Sequence, residues 1–218
     1  MKVSPKRLEN HLRKWKVPFK TVKGWDSPSI DPYNGRSEFK GVLLHHTAGT
    51  NSERYICFTN PYAPVRAAHF LVNRDGSVSV CSGSGAYHAG EGGPVSFTKT
   101  VTVPKNQGNS HLYGIEIESL GTSAAISGTD KGMTLEQVIS TALLSAALLD
   151  AMAPGPLVYK VGRVIRHKDW APNRKVDVRQ DLDWWRQVVA LARKSKGDAV
   201  LARTLITEFV KKHPKGKV

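Results

Sequence analysis

Apolar runs of two different periods are separated by polar, glycine-rich connections, and those periods predict the elements of the chain. Residues 5–16 place Leu8, His11, Leu12 and Trp15 at helical spacing, which predicts a short basic helix. Lys23 to Arg36 is rich in proline, glycine and aspartate and predicts a loop. The run Gly41 to His46 (GVLLHH) predicts a buried strand. Ala67 to Asn73 and Ser77 to Cys81 predict a hairpin closed by Arg74-Asp75-Gly76, because Asp-Gly suits a tight turn with positive φ. Ser82 to Thr98, with its glycines and small polar residues, predicts a surface loop. His111 to Ser119 (HLYGIEIES) alternates: Tyr113, Ile115 and Ile117 point one way, Gly114, Glu116 and Glu118 the other.

Further along, Thr134 followed by Gln137 is a capping-box start for an apolar helix reaching about Met152. Val161 to Arg166 predicts another short strand. Two helices follow, Asp181 to Lys194 and Asp198 to Lys212, parted by Gly197. The second has Val200, Leu201, Leu205, Ile206, Phe209 and Val210 as its apolar residues. Strands and helices mixed in this order predict an α/β or α+β domain around a central sheet. The 218 residues suffice for one globular domain with an appendage.

Charge changes the picture more than composition does. With 40% hydrophobic and 23% charged residues the chain reads as neither disordered nor a membrane bundle. Its most apolar stretch, Val138 to Leu149, is too short to span a bilayer. The start, MKVSPKRLENHLRK, has no apolar core, so no cleaved secretion signal is expected. The formal net charge is +14. Residues 1–40 hold 10 basic and 4 acidic side chains, and residues 193–218 hold 8 and 2, so the basicity sits at the two ends. Such an excess favours polyanionic partners: nucleic acid, acidic wall polymers or anionic lipid. Cys57 and Cys81 have no metal-knuckle spacing and lie among apolar residues. Two half-buried thiols in a reduced compartment are expected, with a disulfide as the alternative.

Candidate chemistry gathers in two places. His45 ends the hydrophobic strand and is followed by His46-Thr47-Ala48-Gly49, and Arg166-His167-Lys168-Asp169-Trp170-Ala171-Pro172-Asn173-Arg174-Lys175-Val176-Asp177 follows another strand. Imidazole nitrogen and carboxylate oxygen suit Zn²⁺. A proline-containing turn could bring Asp177 back beside His167, while His45 must be supplied by the fold. Each residue alone has an ordinary reading: a hydrogen-bonded strand-end histidine, or an aspartate capping the next helix.

The blocks GVLLHHTAG, AAHFLVNRDGSV, AYHAG, YGIEIE and RHKDWAPNRKVD stand in the order found in zinc-dependent N-acetylmuramoyl-L-alanine amidases. Over residues 40–192 the chain resembles that family, whose fold is shared with peptidoglycan recognition proteins. The resemblance implies a basic N-terminal extension (1–39), an amidase domain (40–194) with a central mixed β-sheet flanked by helices, and a basic C-terminal helix and tail (195–218). It also implies one Zn²⁺ per chain held by His45, His167 and Asp177, with a fourth position open for catalysis. His46, facing the other side of the strand, is left out of the metal shell. His69 is expected to pack beneath the sheet or orient a ligand, and His88 is a candidate substrate-binding residue.

The implied reaction is hydrolysis of the amide joining the lactyl group of N-acetylmuramic acid to L-alanine by zinc-activated water. Glu116 is the expected proton acceptor, with Glu118 on the same face as competitor, and Lys175 is expected to stabilise the oxyanion. Amidase-type phage lysozymes carry a tyrosine just before the histidine corresponding to His69, and this chain has Ala68 there, which shifts the burden toward Glu116. Two other classes stand against the enzyme. A non-catalytic peptidoglycan-binding module would lack part of the residue set, and a nucleic-acid-binding protein would explain the charge but none of the motifs. The resemblance and the missing signal imply a phage endolysin held in the host cytoplasm until a holin releases it to the wall. A cytoplasmic muropeptide-recycling amidase is the alternative. Peptidoglycan is the expected partner, with anionic wall polymers or the membrane surface as further partners of the basic ends.

Overall fold

Gly41–His46 forms the strand that its unbroken apolar run predicts, and both of its edges are paired. A computed structural model describes residues 2–58, 66–153 and 160–218. In chain order the elements are α1 (Pro5–Lys14), β1 (Phe19–Thr21), β2 (Gly41–His46), α2 (Glu53–Cys57), β3 (Phe70–Val72), β4 (Val78–Val80), β5 (Val95–Ser96) and β6 (Thr102–Val103). There follow α3 (Gly108–His111), β7 (Leu112–Ile117), α4 (Leu135–Met152), β8 (Val164–Arg166), α5 (His167–Trp170), α6 (Leu182–Lys194) and α7 (Ala199–Lys212). The main sheet has the order β1-β4-β3-β7-β2-β8, and β5 and β6 make a small ribbon. Only the β3–β4 hairpin pairs antiparallel in the main sheet, so the sheet is mixed, with helices against it as expected. Parallel strands covered on both faces need apolar residues at successive positions, which is why β2 shows no alternation.

One face of the sheet rests on α4. Its capping box forms: the Gln137 amide N–H donates to Thr134 Oγ1 at 3.1 Å, and Thr134 N–H to Gln137 Oε1 at 3.0 Å. The helix runs 18 residues, longer than the apolar stretch alone suggests, and is long and apolar enough to cross a membrane. It lies in the protein interior instead, buried on nearly every side. Such a helix needs cover all round, and α1, α6 and α7 supply it away from the sheet. Arg7 caps its end, donating to the carbonyls of Ala151 (2.7 Å) and Ala153 (2.8 Å), where a cation favours the helix dipole. The other face of the sheet carries a smaller cluster of Leu43, Leu112, Ile165 and Trp170 with Ala89 and Val103.

Several expectations need correction. Cys57 and Cys81 form a disulfide and are not two thiols. Packing of α2 against the hairpin brings their Cα atoms to 4.8 Å, inside the range a disulfide spans. The segment Ser82 to Thr98 is not a simple surface loop, because Ser82, Ala86 and Ala89 are fully buried and it contributes β5. Val161–Arg163 is a 3₁₀ turn that precedes β8, and Pro28–Ile30 is another within the expected loop.

The basic ends are anchored by apolar side chains. Leu8 and Leu12 of α1 and Ala202, Ile206 and Val210 of α7 belong to the same buried cluster as the sheet and α4, while Val200 and Leu201 are exposed. Past α7, the tail turns back over the domain: Asp181 N–H donates to Gly216 O (2.8 Å) and Ile126 N–H to Pro214 O (2.9 Å). Ile206→Ala should therefore lower the unfolding free energy by about 2–5 kcal/mol, the usual cost of such a core truncation, measured by urea denaturation. An unchanged urea midpoint would mean that α7 is not part of the cooperative unit.

Candidate active site

Register places the site. Along the parallel strands His45 of β2 pairs with Glu116 of β7. On the other side Leu44 pairs with Arg166 of β8, which sets His167 level with His45. Residues paired across parallel strands share a face. Glu116, His45 and His167 thus stand in one row at the carboxyl ends of three adjacent strands, where open α/β sheets bind ligands. Leu43 and Ile165 precede them on the same face and close the floor.

Asp177 joins the row through the turn after α5. Lys168 N–H donates to Asp177 O (2.7 Å), while Arg174 and Lys175 N–H both donate to Ala171 O, so the chain doubles back beside His167. Asp177 Oδ2 then lies 3.0 Å from His167 Nδ1 and 3.5 Å from His45 Nδ1, and the two Nδ1 atoms are 2.8 Å apart. All three residues are buried.

Hydrogen bonds settle which ring nitrogens carry protons. His167 Nε2 meets the Ala89 carbonyl (3.1 Å) and His88 Nε2 meets the Leu112 carbonyl (3.0 Å), so both nitrogens must be N–H donors. His88 Nδ1 then accepts from His45 Nε2–H at 3.0 Å. Burial pulls His45 down to about 4, the charge of His167 adding to the shift and Asp177 opposing it. It also takes His88 well below its ordinary value, with the neighbouring histidines acting in the same direction. Both rings are neutral at physiological pH. The lone pair of His45 Nδ1 and, in its neutral form, that of His167 Nδ1 therefore face each other and a carboxylate. Three acceptor atoms this close need a cation, a proton or a metal ion, between them.

The donor set fits zinc. Tetrahedral bonds of about 2.0–2.2 Å put ligand atoms roughly 3.3–3.5 Å apart, so this triangle needs little expansion. Burial works against ionisation of Asp177, but hydrogen bonds and charge from His167 and His45 hold its carboxyl well below the usual carboxylate range. Glu116 goes the other way. Burial pushes it up to about 8, with Asp177 adding and Lys175 opposing. Its Oε2 is buried without a hydrogen-bond partner.

The other expected residues divide clearly. Lys175 lines a cavity of about 580 Å³ together with His88, Asn109, His167 and Arg174. Glu118, the competitor of Glu116, has its carboxylate engaged: it accepts the amides of Ser52 (3.0 Å) and Arg74 (3.2 Å) and ties two loops together. His88, expected to bind substrate, lines the same cavity and has both ring nitrogens hydrogen-bonded within the protein, to His45 and to the Leu112 carbonyl. His69 is buried beside His88, accepting the Gly114 amide on Nδ1 at 3.0 Å. His46 stays outside the cluster. Sequence reading missed Gly114, where a Cβ would collide with the His88 ring, and Asn109, whose contacts are all tertiary.

The family model for N-acetylmuramoyl-L-alanine amidase matches residues 35–180, which contain the whole row and Asp177. The chain belongs to this family. A comparison with curated proteins finds no match. Among solved structures, AMPDH3 from Pseudomonas aeruginosa is similar at 22% identity and a TM-score of 0.49, over 72% of this chain and 60% of that one. AmiD from E. coli, in complex with anhydro-N-acetylmuramic acid-L-Ala-D-gamma-Glu-L-Lys, is similar at 15% identity and a TM-score of 0.48, over 82% and 91%. The endolysin amidase LysCS from Clostridium intestinale is similar at 18% identity and a TM-score of 0.45, over 72% and 84%. The chain thus spans less than two thirds of the length of AMPDH3.

If His45, His167 and Asp177 are the ligands, alanine at any one should lower zinc content from one per chain, measured by plasma mass spectrometry on dialysed protein. Undiminished zinc in the triple variant would exclude the assignment.

Proposed function

We propose that this chain is a zinc-dependent peptidoglycan amidase that cuts the bond between N-acetylmuramic acid and L-alanine, and that it serves a phage as its endolysin. One observation carries the catalytic part: a carboxyl group with an unpartnered, buried oxygen stands in the same strand row as a cluster of three acceptors that requires a cation. That arrangement favours an enzyme over a binding module without catalysis, which would not need the carboxyl group beside the cluster. Zinc bound to His45, His167 and Asp177 would polarise the scissile carbonyl and make water nucleophilic near neutral pH.

The chain's own residues do the rest. Glu116 Oε2 takes the proton of the attacking water and returns it to the departing L-alanine nitrogen. A carboxyl group raised toward neutrality suits both transfers, because general acid–base catalysis is most effective when the pKa lies near the working pH. Lys175 lines the cavity, and its ammonium group would offset negative charge on the carbonyl oxygen. Leu43, Ile165 and Trp170 keep the sheet side of the site dry.

The disulfide favours the endolysin over a cytoplasmic recycling enzyme. Disulfides persist in oxidising surroundings and are rare where glutathione and thioredoxin keep thiols reduced. An enzyme that leaves the host cytoplasm through a holin and works on the wall can form and keep Cys57–Cys81. Exposed lysines at the basic C-terminal end, Lys211, Lys212, Lys215 and Lys217, would then hold it on anionic wall polymers or the membrane surface.

Mass spectrometry of digested peptidoglycan should find free lactyl carboxylates on muramic acid and new L-alanine N-termini; cleavage elsewhere would refute the amidase reading. Glu116→Gln should keep the fold and the zinc and lose about 10²–10⁴-fold in turnover, while Glu118→Gln should lower the melting temperature more than the turnover. Equal losses of turnover would reject the assignment of the base. Replacing Lys211, Lys212, Lys215 and Lys217 by glutamine should slow lysis of whole walls at low salt and spare a soluble muropeptide, since exposed charges act over about 8–10 Å near physiological salt. Equal rates on walls would end the electrostatic part of the proposal.

A further inference from the structure

Two groups decide how the histidine ligands present their lone pairs, and both belong to one short segment. His88 receives the proton side of His45, and the Ala89 carbonyl receives that of His167. The Tyr87 amide donates to the Arg66 carbonyl at 2.9 Å, and the next two amides of the segment are held by a side chain of α3. Asn109 Oδ1 accepts the His88 amide N–H at 2.8 Å and the Ala89 amide N–H at 2.6 Å. Both partners are donors, which identifies the side-chain atom as oxygen.

Packing makes the clamp possible. A Cβ on Gly108 would meet the Ala89 side chain at 2.5 Å and the Trp170 ring at 2.9 Å, so only glycine lets α3 come this close to the segment. Gly114 plays the same part for the His88 ring on the sheet side. His88 is then fixed at three points: its amide on Asn109, its Nε2–H on Leu112 O, and its Nδ1 against His45. Ala89 O has its second lone pair occupied by Arg174 Nη2 at 3.2 Å, which fixes the carbonyl toward His167.

We propose that Asn109 is a positioning residue for the metal centre, acting through His88 on His45 and through Ala89 on His167. One side-chain oxygen thereby sets the tautomer and the aim of both histidine ligands. Partners of this kind, one step removed from the metal, orient the ring and raise its basicity, and their loss typically costs about 10–100-fold in metal affinity. The inference rests on the metal centre proposed above, and the experiment separates the two.

The full-length chain, stripped of metal by dialysis, is titrated with zinc against a chromophoric chelator and with Co²⁺, whose visible spectrum reports the coordination geometry. Asn109→Leu and His88→Phe should each weaken zinc binding about 10–100-fold and alter the Co²⁺ spectrum. Asn109→Asp should stay near the wild type, since its carboxylate oxygen can accept the same two amides. The double variant Asn109→Leu/His88→Phe should lose less than the product of the single losses, because one arm of Asn109 runs through His88. Should Asn109→Leu fail to fold, Asn109→Ser, with a side chain too short to reach both amides, takes its place. A folded Leu or Ser variant with wild-type zinc affinity and Co²⁺ spectrum would overturn the relay, as would an Asp variant no better than Leu. A wild-type chain that binds no zinc would bring down the metal centre itself.

Discussion

Everything at the site depends on the parallel register of β7, β2 and β8. That register sets Glu116, His45 and His167 in one row, on one face, at the carboxyl end of the sheet. A slip of one residue in β2 would send His45 into the apolar layer over α4 and bring His46 to the site. The register is held by burial on both faces, with α4 against Val42 and Leu44, and Trp170 and Ala89 in the cluster around Leu43. Packing far from the chemistry therefore governs the chemistry.

Within the row, environment assigns opposite roles to two carboxyl groups. Asp177 faces the histidines and is held ionised, ready to serve as a ligand. Glu116 has a buried oxygen with no hydrogen-bond partner, and burial raises its carboxyl toward neutrality, which suits the proton exchange proposed for it. Pairs of acids whose surroundings push them apart in this way mark acid–base sites. Glu118 shows the contrast: just past the end of the strand, its carboxylate accepts two backbone amides.

The regions outside the matched family segment have a structural role as well as their charge. Arg7 caps α4, and Asp150 near the end of that helix receives Trp15 Nε1–H at 3.0 Å and Arg193 at 3.2 Å, tying α1 and α6 to it. Helix α7 and the tail close over α6 and over the segment that follows Asp177. Basic residues cover the outside of these helices, so anchoring and charge coexist on the same elements without competing.

Local pattern was sufficient for much of this. Apolar runs and alternation located β2, β7, α4, α6 and α7 to within a few residues, because the period of a buried face is written along the chain itself. Family-like blocks marked His45, Glu116, His167, Lys175 and Asp177, since metal chemistry restricts the residue types that can stand there. What sequence could not supply was whatever depends on contact between distant segments. The bonds of His88 to the Leu112 carbonyl and the His45 ring could not be read from a histidine in a glycine-rich stretch, because both partners are distant in sequence. Asn109 drew no notice, as its two amide partners lie about 20 residues upstream. Cys57 and Cys81 became a disulfide only when α2 packed on the hairpin. The composition of the site is a local property and is legible in one dimension. Its proton positions, the pairing of its cysteines and the contrast between Glu116 and Glu118 arise from three-dimensional proximity, which only the folded chain creates.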